Sequence, residues 1–213
     1  MRDEISGPTG SRLSNTERRG LKHLITDDGL LNCCFRAAGS LSRRLRGWIY
    51  LNLNVVSSSP GSSLSIGKGA TIVSGKNIRI DGRVKIGKDA RLECHRVNVD
   101  DHLGTIILED GVSLGNNVHI GSVSLVHLEQ GTLLGSNILI TDHSHGSAKK
   151  LKDDIYIMPK NRVLVSKGPT LIRRNSWICD GAIVLAGVEV GENCIVGANS
   201  VVRQTVPPTT VVK

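Results

Sequence analysis

The chain has 213 residues, 27 Lys and Arg against 19 Asp and Glu, a formal net charge of +8, and only 2% aromatic residues. Stretches of about 18 unbroken apolar residues, as a membrane span needs, do not occur, and the start Met1-Arg2-Asp3-Glu4 has no apolar leader core. Five cysteines, an odd number without metal-ligand spacing, argue against a disulfide framework and for a reducing, cytoplasmic setting.

In chain order, residues 1–20 are polar and basic and predict a disordered tail. Residues 21–61 form a helical N-terminal segment. Within it Leu31, Cys34, Phe35, Ala38, Leu41, Leu45, Trp48 and Ile49 recur at three- and four-residue spacing, one apolar stripe weakened by Gly39 and Gly47. Arg36, Arg43, Arg44 and Arg46 fall on other faces. This pattern predicts a helix over 30–49 that caps an open core, rests peripherally on an anionic membrane, or does both. No aromatic–basic stacking platform accompanies the charge, which argues against nucleic acid.

From residue 62 to 206 the period changes. Ile172, Ile178, Val184, Val190, Val196 and Val202 stand six apart, with Ser176, Ala182, Val188, Cys194 and Ser200 as a smaller register four residues later. A period of six suits neither a lone helix nor a half-buried strand. A hexad buries nothing alone, whereas stacked hexads bury one aliphatic column, so the pattern predicts an all-β solenoid, a parallel β-helix. Earlier runs (Ile66, Ile72, Ile78, Val84; Leu108, Leu114, Ile120, Val126; Leu128, Leu134, Ile140) keep the period with shifted frames. Two stretches are irregular, Cys94 to Gly104 and Thr141 to Gly168. Solenoids place such insertions on one face, where binding sites lie. Cys94, Cys179 and Cys194 are expected as small core residues; residues 207–213 are expected as a tail. His119 and His127 are expected to face outward into solvent.

The longer insertion opens with Thr141-Asp142-His143-Ser144-His145-Gly146. Histidine is suited to moving protons near neutral pH, and acyl transfer to a hydroxyl needs such a base. Asp142 or a backbone carbonyl could fix its tautomer. On spacing alone, polar loop residues without chemistry remain an equal reading.

Thr141–Gly146, Ser166-Lys167-Gly168-Pro169, Asn175-Ser176-Trp177-Ile178, Gly197-Ala198-Asn199-Ser200-Val201-Val202 and Pro207-Pro208, in this order, resemble the hexapeptide-repeat sugar O-acetyltransferases. The branch resembled is the one acting in capsule, colanic-acid and O-antigen biosynthesis, and the likeness covers about residues 62–210. The resemblance implies a left-handed β-helix, an exception to the right-handed crossover rule, and a homotrimer with sites between subunits. It implies acetyl-CoA as co-substrate, no required metal, and a sugar or glycan acceptor, lipid-linked or free. His143 takes the place of the family's general base, with direct attack on the thioester; His145 is the second histidine of the pattern, supporting the loop or the acceptor. Trp177, Asp180 and Ala198 match positions lining the cofactor pocket, Lys167 lies in a matching motif, and Arg203 falls one position from the family's phosphate-binding residue. Where the galactoside branch has an asparagine near its acceptor this chain has Gly121, so that branch's substrate contacts do not transfer. N-acetylation of an amino-sugar nucleotide, a γ-type carbonic anhydrase and a non-catalytic trimeric scaffold are the alternatives. The anhydrase needs a His-x4-His pair that the sequence lacks.

Overall fold

The computed structural model describes residues 29–53, 55–98, 101–146 and 155–213, with side chains from residue 38 onward. The expected tail at 1–20 lies outside them. The chain divides into two compact units, Met1–Ser42 and Arg43–Lys213, and the second carries the solenoid.

The second unit is a left-handed parallel β-helix with three sheet faces. The first face stacks Ser57–Ser58, Ile78–Ile80, Thr105–Leu108, Leu125–Leu128, Thr170–Ile172 and Glu189–Val190. The second stacks Ser63–Ile66, Arg83–Ile86, Ser113–Leu114, Leu133–Leu134, Trp177–Ile178, Ile195–Val196 and Val211–Val212. The third stacks Thr71–Val73, Arg91–Cys94, His119–Ser122, Leu139–Thr141, Ile183–Val184 and Val201–Val202. The chain visits the faces in that fixed order, coil after coil.

The six-residue period is the step from one face to the next. Ile172, Ile178, Val184, Val190, Val196 and Val202 point inward on successive faces and are all buried. They stack through the pairs Ile172–Val190, Ile178–Val196 and Val184–Val202. Earlier coils double the inward residues on the first face (Ile78 with Ile80, Ile106 with Leu108, Val126 with Leu128), all buried. That doubling is the physical cause of the frame shifts. The smaller register fills the corners. Ser176 is buried, donates its hydroxyl to the Gly191 carbonyl at 2.7 Å and accepts the Cys194 amide at 3.1 Å. Apart from glycines, left-handed corner residues are mostly asparagines, Asn117, Asn137, Asn175, Asn193 and Asn199, a backbone state whose cost a short amide side chain offsets. Ile140 sits in mid-column and is fully buried, so Ile140→Ala is expected to destabilise the fold by about 2–5 kcal/mol, read from urea unfolding.

All additional residues enter at one corner, between the third face and the first. The turn is short after Ser122 and long after Cys94 and Thr141. Both irregular stretches of the sequence therefore share one edge. Cys94 and Cys194 are buried as expected, and burial pushes the Cys94 thiol up to about 12; Cys179 is only partly buried.

Three sequence expectations shift at the ends. The first coil starts at Ser57–Ser58, before residue 62, and Val211–Val212 adds a strand to the second face inside the expected tail. A helix is present, over Gly29–Asn52. The described C-terminal part of its apolar stripe, however, does not face the core: Leu45, Trp48 and Ile49 are exposed, with Leu53 just beyond them. Contact with the coils runs instead through Tyr50, Leu51, buried Gly47 and Arg46 Nε, which donates to the Ile66 carbonyl at 3.1 Å. A Cβ at Gly47 would overlap the Leu64 carbonyl, so glycine is what lets the helix approach.

Candidate active site

The strand Leu139–Thr141 ends the fourth coil, and the chain leaves the solenoid through Asp142. His143–His145 then runs antiparallel to Leu164–Ser166, pairing His143 with Ser166 and His145 with Leu164. Asp142 is fully buried. The short corner of the coil before it wraps its carboxylate: Oδ1 accepts the Val123 amide at 2.9 Å, and Oδ2 accepts the Ser124 amide at 2.7 Å and the Ser122 hydroxyl at 3.0 Å. This is a backbone nest for an anion. His143 Nδ1 lies 3.0 Å from Asp142 Oδ1. Burial alone would push the Asp142 carboxyl up, but the hydrogen bonds from His143, Val123, Ser124 and Ser122 hold it below the usual carboxylate range.

An ionised carboxylate only accepts, so Nδ1 of His143 carries the proton and Nε2 keeps its lone pair. Thr141 steadies the turn: its Oγ1 accepts the His143 amide at 3.2 Å and sits 3.1 Å from Nδ1. Thr170 Oγ1 in turn donates to the Thr141 carbonyl at 3.2 Å. The His143 side chain is 13% exposed and opens on a cleft of about 460 Å³ along the third face. Arg91, Glu93, His119, Gly121 and Leu164 are among the cleft's other walls, a size and mix that suit a small polar ligand. The arrangement can take a proton from a hydroxyl and return it to a leaving group.

The structure brings His143 and His145 to this cleft, His145 being exposed at its rim, while Asp142 lies buried behind His143. The residues expected on the cofactor side are spread around the solenoid. Trp177 points outward on the second face, 47% exposed. Asp180 and Ala198 lie in turns between the second and third faces, one coil apart, and Asp180 Oδ1 accepts the Ser136 amide. Arg203 and Lys167 lie exposed between the third face and the first, the edge from which His143 also springs. Outward from the last coils Leu133, Trp177, Ile195 and Val211 stack in register, each at least 37% exposed, an apolar ladder on the second face.

His119 and His127 face outward from the coils as expected and are partly exposed, but each meets a carboxylate. His127 Nε2 meets Glu109 Oε1 at 2.8 Å, and His119 Nε2 meets Glu93 Oε2 at 3.1 Å inside the cleft. Glu93, Arg91, His95 and His119 were not singled out by sequence as site residues. Their signal is a register, Glu93 opposite Gly121 opposite Thr141, that emerges only once the coil lengths are known.

Residues 169–204 match the bacterial transferase hexapeptide family (six repeats). Among curated proteins the chain is similar to WbbJ of Escherichia coli K12, provisionally named a lipopolysaccharide biosynthesis O-acetyl transferase. It is 38% identical over 111 residues, 51% of this chain and 56% of WbbJ. It is also similar to the galactoside O-acetyltransferase of the same organism, 29% identical over 110 residues, 46% of this chain and 51% of that one. The chain thus spans about half the length of these curated relatives. Among solved structures its fold resembles a variant of AntD, an N-acyltransferase from Bacillus cereus in complex with dTDP-4-amino-4,6-dideoxyglucose and coenzyme A. The TM-score is 0.57 at 16% identity, covering 74% of this chain and 77% of that one. The repeat match and the stacking of the coils agree: residues 169–204 carry the hexapeptide repeat of bacterial transferases, and the chain shares the fold of the acyltransferase structure it resembles.

Proposed function

We propose that the chain is an acetyl-CoA-dependent O-acetyltransferase acting on a hydroxyl of a sugar or glycan. The observation that carries this reading is the His143–Asp142 pair, a histidine tautomer fixed by a buried carboxylate at the wall of a polar cleft. The similarity to two O-acetyl transferases supports it. Nε2 of His143 takes the proton of the acceptor hydroxyl, and the oxygen attacks the thioester carbonyl. The C–S bond breaks, and the proton passes from the imidazolium to the departing CoA thiolate. Asp142 stays ionised throughout and stabilises the imidazolium. His145, at the rim, supports the acceptor side.

The acyl donor fits the edges of the last coils. The apolar ladder through Trp177 suits its pantetheine arm, the turns at Asp180 and Ala198 flank that ladder, and Arg203 and Lys167 offer cations for its phosphates. No metal is required for these steps. Because Trp177 and His143 stand on different faces of one chain, a complete site needs two copies, which favours a homotrimer with sites between subunits. Arg203→Ala is expected to raise KM for acetyl-CoA about tenfold, as for loss of a charged hydrogen bond, while leaving KM for the acceptor unchanged. The reverse split would move Arg203 to the acceptor side.

No helix among the described residues is long and apolar enough to cross a membrane. Exposed Leu45, Trp48, Ile49 and Arg44 give the helix an apolar and basic surface for peripheral contact with the inner, anionic membrane face, where a lipid-linked acceptor would lie. Co-sedimentation with vesicles holding anionic lipid, and not with purely zwitterionic ones, is the expected outcome.

The test of the function is transfer of radiolabelled acetyl from acetyl-CoA to de-O-acetylated lipopolysaccharide polysaccharide. Label that mild base releases is an ester and supports O-transfer. Base-stable label is an amide and establishes the N-acetyl alternative instead, the reaction type named for AntD.

A further inference from the structure

Beside His143, on the same face, stands a second carboxylate–imidazole pair. Glu93 belongs to the strand Arg91–Cys94, and its side chain is only 12% exposed although it points out of the solenoid. Arg91 closes over it, Nη2 lying 2.8 Å from both carboxylate oxygens and Nε 3.2 Å from Oε1. From the next coil His119 Nε2 reaches Glu93 Oε2 at 3.1 Å, and His95 Nε2 lies 3.6 Å from the same oxygen. The His95 ring also meets His143 edge-on, with centroids 6.2 Å apart. Burial alone would push the Glu93 carboxyl up, but Arg91 and His119 hold it below its ordinary value. The carboxylate is therefore ionised and accepts from Nε2–H of His119, which leaves His119 Nδ1 with a lone pair.

Between the two imidazoles lies Gly121, paired with Glu93 on one side and Thr141 on the other. Its backbone is not in the left-handed region, so its conformation admits a side chain. Space is tight: a Cβ there would stand 3.1 Å from His143 Cε1, so that the imidazole would have to give by a few tenths of an ångström, and in ordinary contact 3.9 Å from His119 Nε2. What the glycine supplies is room between the two rings.

We propose that this second pair positions the acceptor. His119 receives one hydroxyl of the sugar on its free nitrogen, and Gly121 leaves the gap through which a neighbouring hydroxyl reaches Nε2 of His143. Glu93 and Arg91 are positioning residues that fix the tautomer and angle of His119. The acceptor so selected is a polyhydroxylic ring bearing adjacent hydroxyls. This rests on the acetyl-transfer reading above.

The experiment measures acceptor-dependent release of CoA thiol with methyl galactoside, methyl glucoside and de-O-acetylated lipopolysaccharide polysaccharide, using whichever turns over fastest. Glu93→Gln and His119→Ala are expected to raise acceptor KM about 10- to 100-fold, the loss of one hydrogen bond to a charged or charge-held group. KM for acetyl-CoA stays unchanged, and His119→Asn, which keeps a polar group of similar reach, recovers part of the loss. Gly121→Ala lowers kcat and raises acceptor KM together, because the methyl presses on His143. Unchanged acceptor KM in His119→Ala, or a parallel rise in KM for acetyl-CoA, overturns the proposal. His119 is partly exposed, so that variant carries the test alone if Glu93→Gln loses acetyl-CoA binding by calorimetry. Failure of the underlying reading looks different. It would appear as no acceptor-dependent release by the wild type, or as equal release by His143→Ala.

Discussion

Replacing His143 with alanine is expected to lower kcat by about 10²- to 10⁴-fold, the range for loss of a general base, with KM for acetyl-CoA little changed. Nδ1 is committed to Asp142 at 3.0 Å, so only Nε2 can take the acceptor's proton, and the ring is the cleft wall that carries it. The fold should survive, because Asp142 keeps its bonds to Ser122, Val123 and Ser124 when the imidazole is gone. Steady-state rates on acetyl-CoA, together with an unchanged urea midpoint, check both halves.

The second large effect is expected at Asp142, where catalysis and stability meet. Asp142→Ala removes a fully buried acceptor and strands two backbone amides and a hydroxyl. At about 1–3 kcal/mol for each buried donor left without a partner, partly recovered by water, the loss of stability should be about 3–5 kcal/mol. Asp142→Asn keeps the shape and separates the two roles. An amide can donate to Nδ1, which would move the histidine proton to Nε2 and leave no base. Carboxylate-to-amide exchange behind a catalytic histidine costs up to about 10⁴-fold in kcat. Stability should also gain a pH signature. The folded carboxyl titrates below the unfolded value of about 3.9. Its contribution is therefore present above that value and is lost as pH falls through the lower, folded one. The stability gap between wild type and Asp142→Asn should be full near neutrality and shrink in acid below about pH 4. A gap that does not change with pH would mean the carboxylate is not held as the geometry indicates.

The architecture was legible because its signal is local. Ile172 to Val202 repeats without interruption, and each residue lands on the next face of the solenoid. The earlier coils were harder to frame, since two inward residues per first-face strand, such as Ile78 with Ile80, look like competing frames until the coil is closed. His143 and Asp142 stood out as candidates because they open an obvious break in the period and match a motif of the family resembled. Glu93 and His119 did not. Their contact depends on strands 26 or more residues apart in part of the ladder, Glu93 to His119 among them, and on every insertion falling at a single corner. The choice between the two roles of the helix was open for a related reason. Amphipathicity shows that Leu45, Trp48 and Ile49 share a side, but not which side the protein uses. The backbone fit at Gly47 decided that, and it turned the stripe outward.

That outward stripe and the cleft have no neighbour within the described chain that completes them, and both fit an enzyme that meets its acceptor at a surface. Everything in the functional account nevertheless depends on one proton acceptor. The most direct measurement is mass-spectrometric detection of acetylated polysaccharide formed from acetyl-CoA by the wild type and by His143→Ala, at matched occupancy of acetyl-CoA established by calorimetry. The account predicts product with the wild type and almost none with the variant, although both bind acetyl-CoA alike. Equal product from the two would contradict it.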